Sequence, residues 1–375
     1  MAQKTVVFPL NLNEQQKEIL IQTIKLFSQA YNACLDYAWS MDHPVKKELH
    51  EKTYYFLKEL LGLKSQYLCV ARDTACETVL SVRARLRKGK KASKPQSGLV
   101  PIRLDKNTLS FDKTRETASI TTQGKRIKVP LLWHKHAKRF EQWHCQSGRI
   151  GFDSRGRLVL WLTFVKEVEK PERTGRVIGI DRGIKHAFVT SDNKFYEEGE
   201  SKNKERLYYL LISRLQSAGT KSAKRHLKWL SGRVRRFKVN CDHRLVKMLF
   251  ATLNPGDTLV LEKLTGIRDS CGTKGKARKK HRKYLNRWSF KRLADIITSF
   301  AELLGVYVEY VDPQYTSQQC PQCGIVKKSN RKNQSTYRCS CGLELNADLN
   351  AARNISRRWC MANGYASGHQ SIGLL

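Results

Sequence analysis

Four cysteines in the carboxyl-terminal part of the sequence have a spacing that could bind a metal. The first pair is Cys320-Pro-Gln-Cys323, the second is Cys339-Ser-Cys341, and a glycine follows each pair. Thiolates in such pairs close a tetrahedron around Zn²⁺ at about 2.3 Å, and glycine permits the tight turns of these sites. The second pair lacks the usual two-residue spacer, so its cysteines serve one ion only if the chain bends toward it. We expect a zinc ribbon with one structural Zn²⁺ rather than four unconnected thiols.

Three carboxylates also occupy positions at which they could do chemistry. Asp181 lies at the centre of an apolar strand pattern flanked by glycines, which is how RNase H-like nucleases place a metal ligand. Glu262 ends a second buried-type strand, and Asp348 follows Asn346, which can cap a helix. Each of the three carboxylates also has a simpler explanation. Sugar kinases and actin-like ATPases use a similar strand, a glutamate at a strand end can be merely solvated, and aspartate favours helix N-termini. Their joint occurrence is what indicates a site.

Three segments together resemble the carboxyl end of a known family. They are YTSQQCPQCG, CSCG and NADLNAARNI, in that order. They are similar to the TnpB (OrfB) family of insertion-sequence proteins, which are relatives of the type V CRISPR effectors. The resemblance implies an RNase H-like (RuvC) α/β nuclease domain with an inserted zinc ribbon. It also implies that Asp181, Glu262 and Asp348 are the catalytic carboxylates, by their match to the family's motifs.

Such a carboxylate set would hold two Mg²⁺ ions about 4 Å apart and hydrolyse a phosphodiester bond. We expect Asp181 and Asp348 to be shared ligands and Glu262 to complete the second ion's site. The resemblance further implies that a transposon-derived guide RNA pairs with one strand of a double-stranded DNA target, next to a short motif that the protein reads. On this hypothesis the chain is an RNA-guided DNA endonuclease that acts as a monomer with its RNA.

Two other classes of function remain open from the sequence. One is a nuclease-inactive RNA-guided repressor, against which the intact carboxylate set argues. The other is a DDE-type transposase, which shares the nuclease fold but would bind paired transposon ends without RNA. A discrete RNA in the purified protein would separate the transposase from the guided nuclease. A eukaryotic Fanzor-type relative is a further alternative, although the short chain favours a bacterial origin.

The charge of the chain agrees with a nucleic-acid partner. Among 375 residues, 70 Lys and Arg oppose 33 Asp and Glu, which leaves a net charge of +37. Self-repulsion on this scale destabilises a compact chain unless a polyanion neutralises it. A ribosomal-type or membrane-surface protein would share the charge, but the mixed core with its seven tryptophans fits both poorly.

The cysteine count and the apolar patterning bear on the compartment. Eleven cysteines are odd in number and show no disulfide framework outside the ribbon, which indicates a reducing environment. The sequence begins without the apolar core of a signal peptide, and no apolar run approaches the length of a membrane span. We therefore expect a protein of the bacterial cytoplasm that is associated with nucleic acid and has no membrane contact.

The periodic patterns indicate an α+β chain of two domains, residues 1–170 and 171–375. Strand patterns at 5–10 and 100–168 indicate an antiparallel sheet or barrel, and helical patterns over about 11–95 interrupt it. By resemblance these are a wedge-like β-barrel and its helical recognition insertion. In the second domain the strands of Asp181 and Glu262 form the nuclease, and the zinc ribbon is inserted over about residues 314–345.

Clusters of basic residues are the expected contacts to nucleic acid. The helical stretch 203–250 interleaves Trp229 and Phe237 with arginines, so it could be a strand-tracking surface or simply a solvated helix face. Residues 272–287 are basic, contain two glycines and indicate a flexible loop that orders on nucleic acid. The predicted nucleic-acid-binding residues are Arg83, Arg85, Arg87, Arg225, Lys228, Arg233, Arg235, Arg236, Lys279, Lys280 and Arg282.

Overall fold

Three helices and two small sheets share the hydrophobic core in the amino-terminal part of the protein. In the computed structural model, which describes residues 1–183, 186–197, 199–264, 290–333 and 335–365, the chain separates into two units, Met1–Glu167 and Val168–Leu375. The helices of the first unit are α1 (Glu14–Ser40), α2 (Lys46–Leu61) and α3 (Ser65–Arg87). None of the helices in the described ranges is both long and apolar enough to cross a membrane.

Helix α1 begins with the capping box that its sequence predicts. The Asn13 side chain accepts a hydrogen bond from the Gln16 amide at 2.8 Å, and the Gln16 side chain accepts one from the Asn13 amide at 3.2 Å. An apolar stripe along α1 faces the core, and each large side chain in it contributes roughly 1.5–3 kcal/mol through burial. The buried members of the stripe are Leu20, Ile24, Phe27, Tyr31, Leu35 and Ala38.

The strands of the first unit form two antiparallel sheets that share this core. They are β1 (Ala2–Pro9), β2 (Ile102–Leu104), β3 (Leu109–Phe111), β4 (Thr117–Ile120), β5 (Ile127–Pro130), β6 (His144–Phe152) and β7 (Leu158–Lys166). The orders are β1-β7-β6-β2 and β3-β4-β5. Strand β1 pairs with β7 from Ala2↔Lys166 to Pro9↔Val159, so the first strand joins the later ones as predicted.

The expected closed barrel is wrong. Within the described residues, β1 and β2 are the two edges of an open sheet, and the other sheet is separate from it except for an isolated bridge between Leu10 and Leu131. Strands β2 to β5 are three or four residues long. Strands this short end before they can stagger around a barrel, which needs a continuous tilted ladder.

The second unit is built on a five-stranded mixed sheet. Its strands are β8 (Val177–Asp181), β9 (Phe188–Thr190), β10 (Phe195–Tyr196), β11 (Thr258–Glu262) and β12 (Tyr307–Val311), in the order β10-β9-β8-β11-β12. Strands β8, β11 and β12 are parallel, whereas β9 and β10 form an antiparallel hairpin next to β8. The helices are α4 (Gly199–Ala218), α5 (Lys221–Phe250), α6 (Phe290–Leu304) and α7 (Ala347–Asn363).

Helices cover both faces of this sheet. Leu259 and Leu261 of β11 pack in one cluster with residues of α5 and α6, whereas Val260 between them packs with Ile355 and Trp359 of α7. This alternation is the two-residue period of a strand that is buried on both faces. A small hairpin of β13 (Thr336–Arg338) and β14 (Glu344–Asn346) lies between β12 and α7 in the chain.

Candidate active site and metal centre

Strand alternation places Asp181 and Glu262 on the same face of the sheet. Glu262 follows Val260 by two residues on β11, so its side chain points toward the face that α7 covers. Asp181 likewise follows Gly179 by two residues on β8, and Gly179 packs directly against α7. Because Leu261 lies opposite Ile180 in the parallel ladder, the two carboxylates end neighbouring strands at the same edge.

Helix α7 brings Asp348 to that edge. The Asn346 side chain caps the helix by accepting hydrogen bonds from the amides of Asp348 at 2.9 Å and Leu349 at 3.4 Å. The helix lies so close to β8 that a Cβ on Gly179 would be 2.1 Å from the carbonyl oxygen of Ala352. The glycine of the sequence motif therefore permits the close approach of α7 that the carboxylate cluster needs.

The three carboxylates interact with one another electrostatically. Burial raises the pKa of Asp181 well above its usual value, and the charges of Glu262 and Asp348 raise it further. Burial also raises the pKa of Glu262, against the effect of a hydrogen bond from Thr316. The nearest Arg331 nitrogen lies 3.9 Å from a carboxylate oxygen of Asp348. The structure thus brings the three predicted residues together as a cluster of like charges, which a cation would stabilise.

The four predicted cysteines form the tightest group of ligand atoms in the part of the chain that the structure describes. Their sulfur atoms all lie within 4.8 Å of one another, and it is the only such group of three or more His, Cys, Asp or Glu in those residues. The Cys320–Cys341 and Cys323–Cys339 sulfur distances are 3.6 and 3.5 Å. A tetrahedron with 2.3 Å metal–sulfur bonds has edges of about 3.8 Å. The cluster can therefore hold a zinc ion.

The two cysteine pairs have similar backbone turns in spite of their different spacers. The Gly324 amide donates to the Cys320 carbonyl at 3.0 Å, and the Gly342 amide donates to the Cys339 carbonyl at 3.1 Å. Both glycines have positive φ, 78° and 92°, which explains their place after each pair. A hydrogen bond from the Cys341 amide lowers the pKa of the Cys339 thiol to about 6, whereas burial raises the pKa of the Cys320 thiol to about 12, so Cys339 forms the metal-binding thiolate more readily than Cys320.

The site also contains residues that the sequence did not reveal. The Thr316 hydroxyl contacts Glu262, and the Arg331 guanidinium contacts Asp348. Arg182 donates from its two terminal nitrogens to the carbonyls of Glu262, at 2.5 Å, and Phe290, at 2.8 Å. Thr316 and Arg331 lie in polar segments without periodicity, so only the fold shows their contacts, whereas Arg182 could have been suspected from its position beside Asp181.

The predicted nucleic-acid-binding residues fall into three groups. Arg85 and Arg87 are exposed at the end of α3. Arg83 instead donates to the carbonyls of Trp39, Met41 and Asp42 at the carboxyl end of α1, which is a structural role. The five predicted residues on α5 are all exposed, namely Arg225, Lys228, Arg233, Arg235 and Arg236. Lys279, Lys280 and Arg282, with the predicted loop at 272–287, lie outside the described residues.

The two aromatic residues of α5 have different environments. The Trp229 side chain is 54% exposed, and the Arg233 guanidinium lies 5.5 Å from the centroid of its ring. Phe237 instead packs edge-on against Tyr208 of α4, with ring centroids 5.5 Å apart. Only Trp229 of the pair therefore offers an open aromatic face beside the basic residues.

Comparisons with known proteins show what this chain is similar to. Residues 290–355 match the family described as Cas12f1-like, TNB domain. The chain is 36% identical over 130 residues to the CRISPR-associated endodeoxyribonuclease Cas12f1 of Sulfoacidibacillus thermotolerans, across 34% of this chain and 28% of that protein. It is 27% identical over 272 residues to a TnpB-like protein of Methanocaldococcus jannaschii, across 68% of this chain and 94% of that protein. The predicted resemblance to the TnpB family and its type V relatives is confirmed.

The fold is shared with a solved effector. A Cas12f1–sgRNA–target DNA complex contains a chain that superposes with a TM-score of 0.61 at 16% identity, over 92% of this chain and 83% of that one. The sequence matches span less than half the length of the Cas12f1 relatives. The α+β architecture is thus common to both.

Proposed function

We propose that this relative of the TnpB family is an RNA-guided DNA endonuclease, encoded by a transposon, with Asp181, Glu262 and Asp348 as its catalytic carboxylates. The observation that carries the proposal is their convergence on one edge of the sheet from two parallel strands and a helix. The antiparallel β9–β10 hairpin beside parallel β8, β11 and β12 supports an RNase H-like, RuvC-type nuclease domain. The first unit would supply the wedge-like and recognition parts.

The carboxylate cluster fits hard divalent cations. Buried oxygen ligands of like charge are the donors that Mg²⁺ prefers. Two Mg²⁺ ions would supply an activated water and stabilise the leaving 3′ oxygen. Asp181 and Asp348 would be shared ligands, Glu262 would bind one ion, and Arg331 could bind a phosphate of the strand.

The four-cysteine cluster would hold one Zn²⁺ as a structural ion. All four tetrahedral positions are supplied by Cys320, Cys323, Cys339 and Cys341, which leaves no position open for a substrate. The β13–β14 hairpin joins the second cysteine pair to Asn346, the cap of α7. The zinc ribbon would thereby hold the start of the helix that carries Asp348.

The proposed partners are a transposon-derived guide RNA and double-stranded target DNA. A net charge of +37 favours a polyanion, and the exposed arginines around Trp229 offer charge and a stacking face together. The solved relative is a complex with sgRNA and target DNA. Base pairing with the guide would choose the target, while the protein would read a short adjacent motif and hold the heteroduplex through its phosphates.

The test starts from the protein purified with its RNA. Sequencing of that RNA gives the guide, and a matched linear DNA measures cleavage in Mg²⁺. Asp181→Ala should abolish cleavage and retain the fold. Asp192→Ala is the control, because Asp192 lies beyond the other end of β8, where it pairs with Lys194 at 3.1 Å. Full cleavage by the Asp181→Ala protein would overturn the catalytic assignment, and full activity of RNA-free protein would overturn the guided mechanism.

A further inference from the structure

Thr316 touches the carboxylate cluster from a segment that leads into the zinc ribbon. Its side chain is 3% exposed, and its hydroxyl oxygen lies 2.5 Å from Oε1 of Glu262 and 3.0 Å from the carbonyl oxygen of Pro313. A hydroxyl has one proton to donate, and a carboxylate can only accept. The Thr316 hydroxyl therefore donates its hydrogen bond to the charged acceptor at the shorter distance, Glu262, and this hydrogen bond is charge-assisted.

Helix α7 holds the backbone of the same segment. The Asn354 amide nitrogen donates to the carbonyls of Thr316 at 2.8 Å and Gln319 at 2.6 Å, and the Asn350 amide donates to Gln319 at 3.1 Å. Both asparagines are buried, one turn apart, and their Oδ1 atoms have no hydrogen-bond partner among the described residues. An unpaired buried side-chain carbonyl costs folding free energy. We therefore attribute the position of both asparagines to the hydrogen bonds that their side-chain nitrogens donate to the Thr316 and Gln319 carbonyls.

The backbone just before Thr316 is unusual as well. Tyr315 has a φ of 63°, in the left-handed region that residues with side chains rarely adopt, although half of its side chain is exposed. The Gln318 and Gln319 amides both donate to the Tyr315 carbonyl at 2.9 Å. Such a turn persists only where its surroundings fix it, and here the α7 asparagines do so.

We infer that Thr316 is a positioning residue for Glu262, and that the segment from Thr316 to Cys320 transmits the position of the zinc ribbon to the carboxylate cluster. The inference rests on the proposed nuclease function. Thr316 holds Oε1 of Glu262 and Arg182 holds the Glu262 backbone carbonyl, so the residue is held at its backbone and at its carboxylate, and Oε2 is left to bind an ion. Only Ser317, Gln318 and Gln319 separate Thr316 from the first zinc ligand, and both asparagines hold Gln319.

Three variants of the full chain with its RNA test this inference. Thr316→Val keeps the shape and removes the hydroxyl, and Thr316→Ser keeps the hydroxyl. Thr190→Val is the matched control, because Thr190 is fully buried and its hydroxyl donates only to a carbonyl, that of Lys194 at 3.2 Å. Mn²⁺ titration followed by electron paramagnetic resonance measures the bound ion, and the Asp181→Ala complex is subtracted as background for the RNA. Cleavage rates are measured against Mg²⁺ concentration.

Thr316→Val should weaken Mn²⁺ binding and raise the Mg²⁺ concentration for half-maximal cleavage by about 10- to 100-fold, the usual effect of losing an outer-shell partner of a ligand. Thr316→Ser should restore most of both, and Thr190→Val should change neither. Unaltered Mn²⁺ binding and Mg²⁺ dependence in Thr316→Val would overturn the inference. If the valine protein loses zinc or unfolds, Thr316→Ala is judged by the same criteria. If the Asp181→Ala complex, before any subtraction, binds as much Mn²⁺ as the original protein and cleaves at the same rate, the proposed function fails instead.

Discussion

The contact of Gly179 with helix α7 allows a quantitative prediction for Gly179→Ala. A Cβ at this position would lie 2.1 Å from the Ala352 carbonyl oxygen and 2.6 Å from the Ser356 amide nitrogen. Ordinary contact begins at 3.4 Å, so the backbones would have to separate by about 1.3 Å, from 2.1 to 3.4 Å. Both contacts are with backbone atoms of a helix, which cannot rotate away as a side chain can. The helix has to move as a body.

That movement should reach the carboxylate cluster. Asp348 is one turn before Ala352 on α7, so its carboxylate shifts relative to Asp181 on β8. A misplacement of about 1 Å can lower a rate about 100-fold. Overpacking of this kind costs about 1–3 kcal/mol of folding free energy. We therefore expect cleavage by Gly179→Ala to fall about 100-fold, its melting temperature to fall by several degrees, and its binding to a matched target to persist.

The assay compares cleavage, target binding and thermal unfolding of Gly179→Ala with those of Gly199→Ala. The control makes the same substitution where an added Cβ meets nothing within 4 Å. Zinc content and circular dichroism report whether both variants are folded. A folded Gly179→Ala protein that cleaves at the original rate would refute the reasoning, because the carboxylates would then not depend on the close approach of α7.

Three further predictions follow from the site and its surroundings. Cys323→Ser should lower zinc content, measured by elemental analysis, together with the melting temperature, whereas Cys69→Ser should change neither; a zinc-free original protein would contradict the ribbon. Asp348→Asn keeps the Asn346 cap of α7, so it should lose cleavage but still bind a matched target in a gel-shift assay; an equal preference for that target without RNA would mean that the protein reads sequence itself. Arg83→Ala should lower the melting temperature, because it removes the side chain that caps the end of α1. Arg85→Ala should instead weaken binding to all targets alike, and the slope of log affinity against log salt concentration should fall by about the contribution of one phosphate contact. The reverse result for the two variants would contradict their assigned positions.

Local signals in the sequence predicted most of what depends on neighbours in the chain. The capping box at Asn13, the buried stripe of α1 and the Asn346 cap all follow from side chains within a few positions of each other. The strand patterns around Asp181 and Glu262 also predicted the correct elements, since apolar runs are visible over five residues, although Asp181 ends its strand instead of lying at its centre. The patterns do not indicate which short strands pair with one another. For this reason the predicted closed barrel was wrong.

Contacts between distant segments escaped the sequence for the same reason. Thr316 reaches Glu262 across two elements, and Arg331 reaches Asp348 from a loop of the ribbon. Arg83 looked like part of a basic surface because its neighbours Arg85 and Arg87 are exposed, yet its position on α3 turns its side chain toward the end of α1. One position along a helix rotates a side chain by about 100°, and only packing decides which side meets another backbone.

The position of α7 after β8 and β11 in the chain has a consequence during synthesis. Domains form from the amino terminus as the ribosome releases them. Strands β8 and β11 emerge with two of the carboxylates, then the cysteine pairs follow, and Asp348 comes only with α7. A nascent or prematurely ended chain therefore cannot assemble the three-carboxylate cluster, and the capacity to cut a nucleic acid would arise only after the rest of the second unit's sheet has been made.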